Sequence, residues 1–116
     1  MQDFRNLKVW QKAHELALLV YKITADFPRE ETFGLKHSMR KTAVDIAAYI
    51  AEASGKPNDR EKAACMNTAI AFSTRLEYYV LMAYDLELIP EANFTSMSEK
   101  TVEVRKMLTG FIRTLA

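Results

Sequence analysis

The side chains with reactive chemistry are few and far apart. The chain holds two histidines, His14 and His37, and one cysteine, Cys65. A ferritin-like di-iron centre needs Glu-x-x-His pairs, which set two ligands on one helix face. Gln11 and Gly34 stand three residues before the histidines, so neither pair exists. Helical-bundle nucleotide pyrophosphatases hold magnesium with Glu-x-x-Glu and Glu-x-x-Asp steps, and no glutamate here has an acid three residues on. Helical HEPN-type ribonucleases place a histidine shortly after an arginine; Arg5 to His14 and Arg29 to His37 are too long for that spacing. Zinc needs several His, Cys or acidic ligands converging. Gly34, Gly55 and Gly110 are too dispersed for a phosphate-cradling glycine loop. No catalytic, cofactor-binding or metal-ligating set emerges, and a non-enzymatic protein without cofactor is expected. His14 reads as a packing histidine. Cys65 reads as a small apolar residue, since a nucleophile needs an activating base nearby. The six methionines read as gap-filling core. Asn93-Phe94-Thr95 has the form of a glycosylation sequon, but with no secretion signal ahead of it the match is chance.

The remaining candidates are cationic, and their meaning depends on what positions them. A chain of 116 residues and 13.3 kDa is one domain, 1–116. Apolar residues make up 49% and charged residues 27%, a globular composition. Three glycines and three prolines are too few for the frequent turns of a sandwich or barrel. The opening MQDFRNLKVW lacks an apolar leader, and no apolar run approaches the roughly 20 residues of a membrane span. A cytoplasmic protein that does not enter membranes is expected.

Hydrophobic spacing gives four helices. Apolar residues at 9, 13, 16, 20, 23 and 27 form one face of a first helix over 9–27, stopped by Pro28. Leu35, Met39, Ala43, Ile46, Ile50 and Ala53 line a second, which ends at Ser54-Gly55. Asn58 followed by Glu61 has the pattern of a capping box for a third. That helix carries Met66, Ile70, Ser73, Leu76, Val80 and Ala83 and runs to about Leu88. A fourth carries Phe94, Met97, Thr101, Val104, Leu108, Phe111 and Leu115. It begins either at Pro90, which suits a first turn, or at the Ser96/Glu99 capping pattern. Short connections make an all-α, antiparallel up-and-down four-helix bundle the economical arrangement. The off-stripe residues Ala47, Tyr49, Ala69, Phe72, Tyr79 and Tyr84 widen the apolar face and point to self-association.

Alternating helix direction sorts the charges. Net charge is only +1, so there is no global basic field. Residues 1–15, 46–70 and 104–116 meet at one end with nine Lys/Arg against five acids, and the opposite end has seven against ten. The basic end offers Arg5, Lys8, Lys12, Lys56, Arg60, Lys106 and Arg113 for phosphate contact. Its bland counterpart is a solvated face that complements helix dipoles. At the acidic end Lys36, His37, Arg40 and Lys41 form a local basic cluster, expected to pair with Glu30, Glu31 or acids of the fourth helix.

Several segments taken together resemble one family. Leu7-Lys8-Val9-Trp10-Gln11-Lys12-Ala13 with Tyr21-Lys22 is similar to the opening of the 23S rRNA intervening-sequence proteins. The resemblance continues through Phe33-Gly34-Leu35, Met39-Arg40-Lys41-Thr42-Ala43-Val44 and Ile50-Ala51-Glu52. It returns in Leu76-Glu77-Tyr78-Tyr79, Ala83-Tyr84-Asp85-Leu86 and 105–112. It implies a four-helix bundle, a homopentamer around a central channel and no catalytic residues. The accessory proteins of diversity-generating retroelements share that fold and bind nucleic acid and a reverse transcriptase. Three positions of the second helix depart from the family pattern: Ala47 stands for proline, Tyr49 for asparagine and Ala53 for glycine. Arg75 stands where glutamate is common. Loss of the proline predicts a straighter second helix. These features lead to a non-enzymatic homo-oligomer that binds RNA or DNA, or a nucleic-acid enzyme, through a basic end. The alternative is a protein-interaction scaffold that binds no nucleic acid. Trp10, Phe72, Tyr78 and Tyr79 read as core or subunit interface, not as base-stacking platforms.

Overall fold

The computed structural model describes residues 3–115; Met1, Gln2 and Ala116, at the ends of the expected 1–116 domain, lie outside the described residues. Four helices follow in order: α1 (Lys8–Thr24), α2 (Leu35–Ser54), α3 (Asp59–Asp85) and α4 (Glu91–Arg113). Each packs on its neighbour in sequence and α4 closes against α1, which makes an antiparallel up-and-down four-helix bundle. The described residues span 44 × 22 × 20 Å.

Local chemistry sets each boundary. α1 stops at Thr24, three residues short of the expected end, because the chain turns ahead of Pro28. The Phe27 N–H donates to the Thr24 carbonyl at 3.1 Å, and the Phe27 ring is buried over the helix end. α2 starts at Leu35, whose N–H is taken by the Glu31 carboxylate at 2.9 Å. Gly34 allows that cap, since a Cβ there would meet Glu31 Oε1 at 2.9 Å. α2 runs unbroken through Ala47, consistent with the missing proline. α3 begins with the expected cap: Asn58 Oδ1 accepts from the Glu61 N–H at 2.9 Å, and Asn58 Nδ2 donates to Glu61 Oε2 at 2.8 Å. Of the two possible starts of the fourth helix, the structure takes the earlier. Pro90 is the cap itself, not the first helical residue, and its carbonyl accepts from Asn93 and Phe94.

α3 ends at Asp85, short of the expected Leu88. The Leu88 N–H reaches back to the Ala83 carbonyl and Glu87 to Tyr84, both at 2.9 Å, around Glu87 at φ 61°. This is a Schellman closure with glutamate where glycine is favoured. A left-handed glutamate costs about 1–2 kcal/mol.

Most of the expected stripe residues form the core, while Ile23, Leu35, Ile70, Phe94, Phe111 and Leu115 are half-buried at its edges and ends. Leu16, Val20, Met39, Ile46, Ile50, Met66, Leu76, Val80, Met97, Val104 and Leu108 are fully buried. Ala13, Ala43, Ala53, Ala69 and Ala83 are also without exposed surface and let the helices approach closely. Buried hydroxyls close on their own helices: Thr24 on the Val20 carbonyl and Thr101 on the Met97 carbonyl, both at 2.7 Å. Among the described residues no buried side-chain nitrogen or oxygen lacks a partner. No helix is long and apolar enough to cross a membrane.

The off-stripe residues are largely absorbed within the chain. Ala47 and Ala69 are buried, Tyr49 stacks on Phe72 with centroids 5.4 Å apart, and Tyr84 stacks on Phe94 at 4.6 Å. The Arg75 guanidinium lies 4.9 Å from the Phe72 ring centroid. Two departures from the family pattern, Tyr49 and Arg75, therefore share Phe72. The large apolar side chains left exposed on α3 are Tyr78, Leu81 and Met82, with Leu86 just beyond its end.

Cys65 is buried, and its thiol donates to Glu52 Oε2 at 3.6 Å. Burial pushes this thiol up from its ordinary value, and the hydrogen bond and charge of Glu52 push it further. The thiol therefore stays protonated to higher pH than a free one. Alkylation of the native protein at mildly alkaline pH is expected to run more than about tenfold slower than that of an exposed cysteine, and unfolding should remove the difference; equal rates in native protein would refute it. Glu87→Gly is expected to stabilise the fold by about 0.5–1 kcal/mol in urea titrations, as relief of the left-handed strain outweighs the added chain entropy.

Candidate nucleic-acid interface

The up-and-down topology brings the start of α1, the turn between α2 and α3 and the end of α4 to one end of the bundle. A cavity of about 140 Å³ there is lined by Leu7, Ser54, Asp59, Lys62, Phe111 and Leu115, from the cap of α1 and the adjoining ends of α2, α3 and α4. A short 3-10 turn, Phe4–Asn6, folds over this end. It is anchored by Gln11 Nε2, which donates to the Arg5 carbonyl at 2.8 Å, and by the Phe4 ring against Trp10 at 4.9 Å. Trp10 in turn stacks on His14 with centroids 4.9 Å apart, but His14 is exposed at the surface and not the partly buried packing histidine expected, because it lies on the outer side of the Ala13–Leu16 face.

The seven candidate cations divide by what holds them. Arg5 is tied to Asp3 at 3.2 Å and lies over the Phe4 ring. Lys12 reaches Glu15 at 3.9 Å. Lys8 opens α1 and is exposed; Arg60 is exposed in the first turn of α3; Arg113 is exposed in the last turn of α4. Lys56 is half-buried in the turn between α2 and α3. None of these last four makes an ion pair among the described residues. The same is true of Lys106, but it sits two turns back along α4 in a surface groove shared with Glu99 and Glu103. The topology thus brings the segments that carry Lys8, Lys56, Arg60 and Arg113 to one end, with Arg5 in the short turn ahead of α1, and leaves Lys106 two turns back along α4.

The acids of this end are partly engaged. Glu61 is held by Asn58 and Glu52 by the Cys65 thiol. Two further bases counted at this end serve structure. Lys62 Nζ donates to the Lys56 carbonyl at 2.8 Å, and Arg105 spans α3 and α4 to Glu77 at 2.8 Å. Spacing could not announce the Arg105–Glu77 pair, because its partners lie 28 residues apart.

The cluster Lys36, His37, Arg40 and Lys41 departs from expectation. Lys41 pairs with Asp45 of its own helix at 2.9 Å, and Arg40 with Thr24 and the Tyr21 carbonyl, not with Glu30, Glu31 or α4. Glu31 is occupied as the α2 cap. Among the described residues no group of three His, Cys, Asp or Glu is placed to hold a metal ion.

A search of curated proteins finds none that matches this chain. Among solved structures, the chain is similar to a protein of unknown function from the S23 ribosomal protein family of Bacteroides thetaiotaomicron. The TM-score is 0.81 and the identity 21%, over 90% of this chain and 97% of that one, a likeness of fold. The family model for the 23S rRNA-intervening sequence protein matches residues 5–110. With nearly the whole bundle inside that match, the chain belongs to the 23S rRNA-intervening sequence protein family.

Proposed function

We propose that this chain is a non-enzymatic, self-associating helical bundle that binds the phosphates of RNA or DNA, or a nucleic-acid-processing enzyme, through its basic end. What supports this reading is that the segments carrying Lys8, Lys56, Arg60 and Arg113 meet at one end of the bundle, and no ion pair of these four is found among the described residues. Arg5, Lys12 and, further back, Lys106 supply supporting charge. Such contacts neutralise phosphate and release counterions without reading bases. With a net charge of only +1, one copy has a weak field. A ring of copies, five in the arrangement the family resemblance implies, multiplies the local potential at its rim.

The support for self-association is the outer side of α3. Tyr78, Leu81 and Met82, followed by Leu86, recur at helical spacing and are 58%, 42%, 36% and 49% exposed. A protein-interaction scaffold is the second reading. The same apolar strip and the small net charge favour it, with the charge polarity acting only to orient a partner.

In solution the chain should scatter light with a mass well above the 13.3 kDa of one copy, and Tyr78→Glu with Leu81→Glu should return it to the single-chain mass; a native mass at that value refutes self-association. Fluorescence anisotropy with a structured RNA and a DNA duplex at two salt concentrations tests the ligand. Lys8→Glu with Arg60→Glu should weaken binding and lower the salt slope by about 0.9 for each duplex phosphate no longer neutralised. Unchanged affinity and slope remove these residues from the interface, and no binding of either nucleic acid at low salt leaves the scaffold reading.

A further inference from the structure

At the opposite end of the bundle, where α1 finishes and α2 begins, a pocket of about 350 Å³ opens to the surface. It is lined by Tyr21, Thr32, Lys36, His37, Arg40 and Lys41, and no carboxylate is among them. We propose that this pocket binds a phosphate group, with Arg40 as its fixed fork. The proposal stands apart from the basic end, with which it shares no residue.

The geometry of Arg40 carries the argument. Nε donates to Thr24 Oγ1 at 2.9 Å and Nη2 to the Tyr21 carbonyl at 3.0 Å. Those two bonds occupy one edge of the guanidinium. Its face is set against the Tyr21 ring, 4.3 Å from the centroid. The plane is therefore locked before any ligand arrives, and the entropy of ordering a long side chain has already been lost on folding. The other edge, formed by Nη1 and the second Nη2 hydrogen, has no acceptor among the described residues. A parallel pair of N–H donors of that kind matches two oxygens of one oxyanion.

Two acids of the adjoining segments are engaged elsewhere, and Asp26 and Glu30 do not line the pocket. Asp45 holds Lys41 at 2.9 Å, and Glu31 caps Leu35 at 2.9 Å. Lys36 and His37, one turn before Arg40 and Lys41, make no side-chain hydrogen bond or ion pair among the described residues. They add donors on a second side of the pocket, and the positive end of the α2 dipole adds to them. A planar carboxylate puts both of its oxygens on the fork and keeps its remaining lone pairs in the same plane. A tetrahedral phosphate still has oxygens to offer Lys36, His37 and the Thr32 hydroxyl. The chemistry favours phosphate, whether as a free or small phosphomonoester or as the end or backbone of a polynucleotide.

The test is NMR of the full chain titrated with inorganic phosphate, with acetate as control at constant ionic strength. The Arg40 Nε–H and the amides of Lys36 and His37 are expected to shift saturably with phosphate and not with acetate. Lys36→Gln with His37→Gln keeps much of the bulk of both side chains while removing the Lys36 charge, and should weaken phosphate about tenfold. Arg40→Lys, which keeps the charge but not the fork, should abolish saturation while the remaining spectrum stays folded. The absence of a saturable shift, an equal response to acetate, or unchanged phosphate affinity in the Lys36/His37 variant overturns the assignment. Competition then identifies the source. An oligonucleotide with a 5′-phosphate that displaces phosphate, where its 5′-hydroxyl counterpart does not, assigns a terminal monoester. Displacement by both assigns the polynucleotide backbone, and displacement by neither assigns a small free phosphate ligand.

Discussion

Close approach of four helices around a thin core is the constraint on which the molecule depends. Ala13, Ala43, Ala53, Ala69 and Ala83 have no exposed surface, and the cross-section of the described residues is only 22 × 20 Å. Helices that pack roughly 8–10 Å apart fill such a section completely. Met39, Met66 and Met97 take up the irregular gaps between the alanines. Bundles that do chemistry place polar ligands on inward faces and leave room among them. Here the inward polar groups are hydroxyls, and those of Thr24, Ser73 and Thr101 close on carbonyls of their own helices. The polar and charged side chains stand on the outside of the bundle and at its two ends.

Much of this is legible in the sequence. The stripes Met39, Ala43, Ile46, Ile50 and Met97, Thr101, Val104, Leu108 are buried residue for residue, because a period near 3.6 has one reading in a bundle. The Asn58–Glu61 cap is equally plain. The ends of α1 and α3 are not. Phe27 and Leu88 continue the apolar spacing but lie in the closing turns, where a buried ring and a backbone reversal serve the same hydrophobic demand without helix. By spacing alone Tyr49, Phe72 and Tyr84 are surplus apolar area. In the fold they are consumed in ring pairs whose partners lie on neighbouring helices, which spacing along one helix cannot disclose.

Charge is legible by end and illegible by partner. Sorting residues by helix direction groups Lys8, Lys56, Arg60 and Arg113, and the topology brings their segments together. Which cations are spent depends on atoms far apart in sequence. Arg105 crosses to Glu77, and Lys62 turns onto the Lys56 carbonyl. Arg40 bypasses every nearby acid for a hydroxyl and a carbonyl of α1. An arginine bound to neutral acceptors keeps its full charge, whereas one bound to a carboxylate loses most of its reach. Residue counts at the two ends treat both alike.

Both charged ends draw on the same helix. α1 supplies Lys8 at one extremity and, at the other, the Tyr21 ring and carbonyl that fix Arg40. It is also the shortest helix of the bundle, and its seams with α2 and α4 are thinner than those joining α2 to α3 and α3 to α4. Subglobal opening favours the unit with the fewest contacts to the rest of the fold, which by length and seam is α1. Amide exchange along α1 and loss of the Arg40 lock then become one event, and whatever holds one extremity ordered slows the fraying of the other.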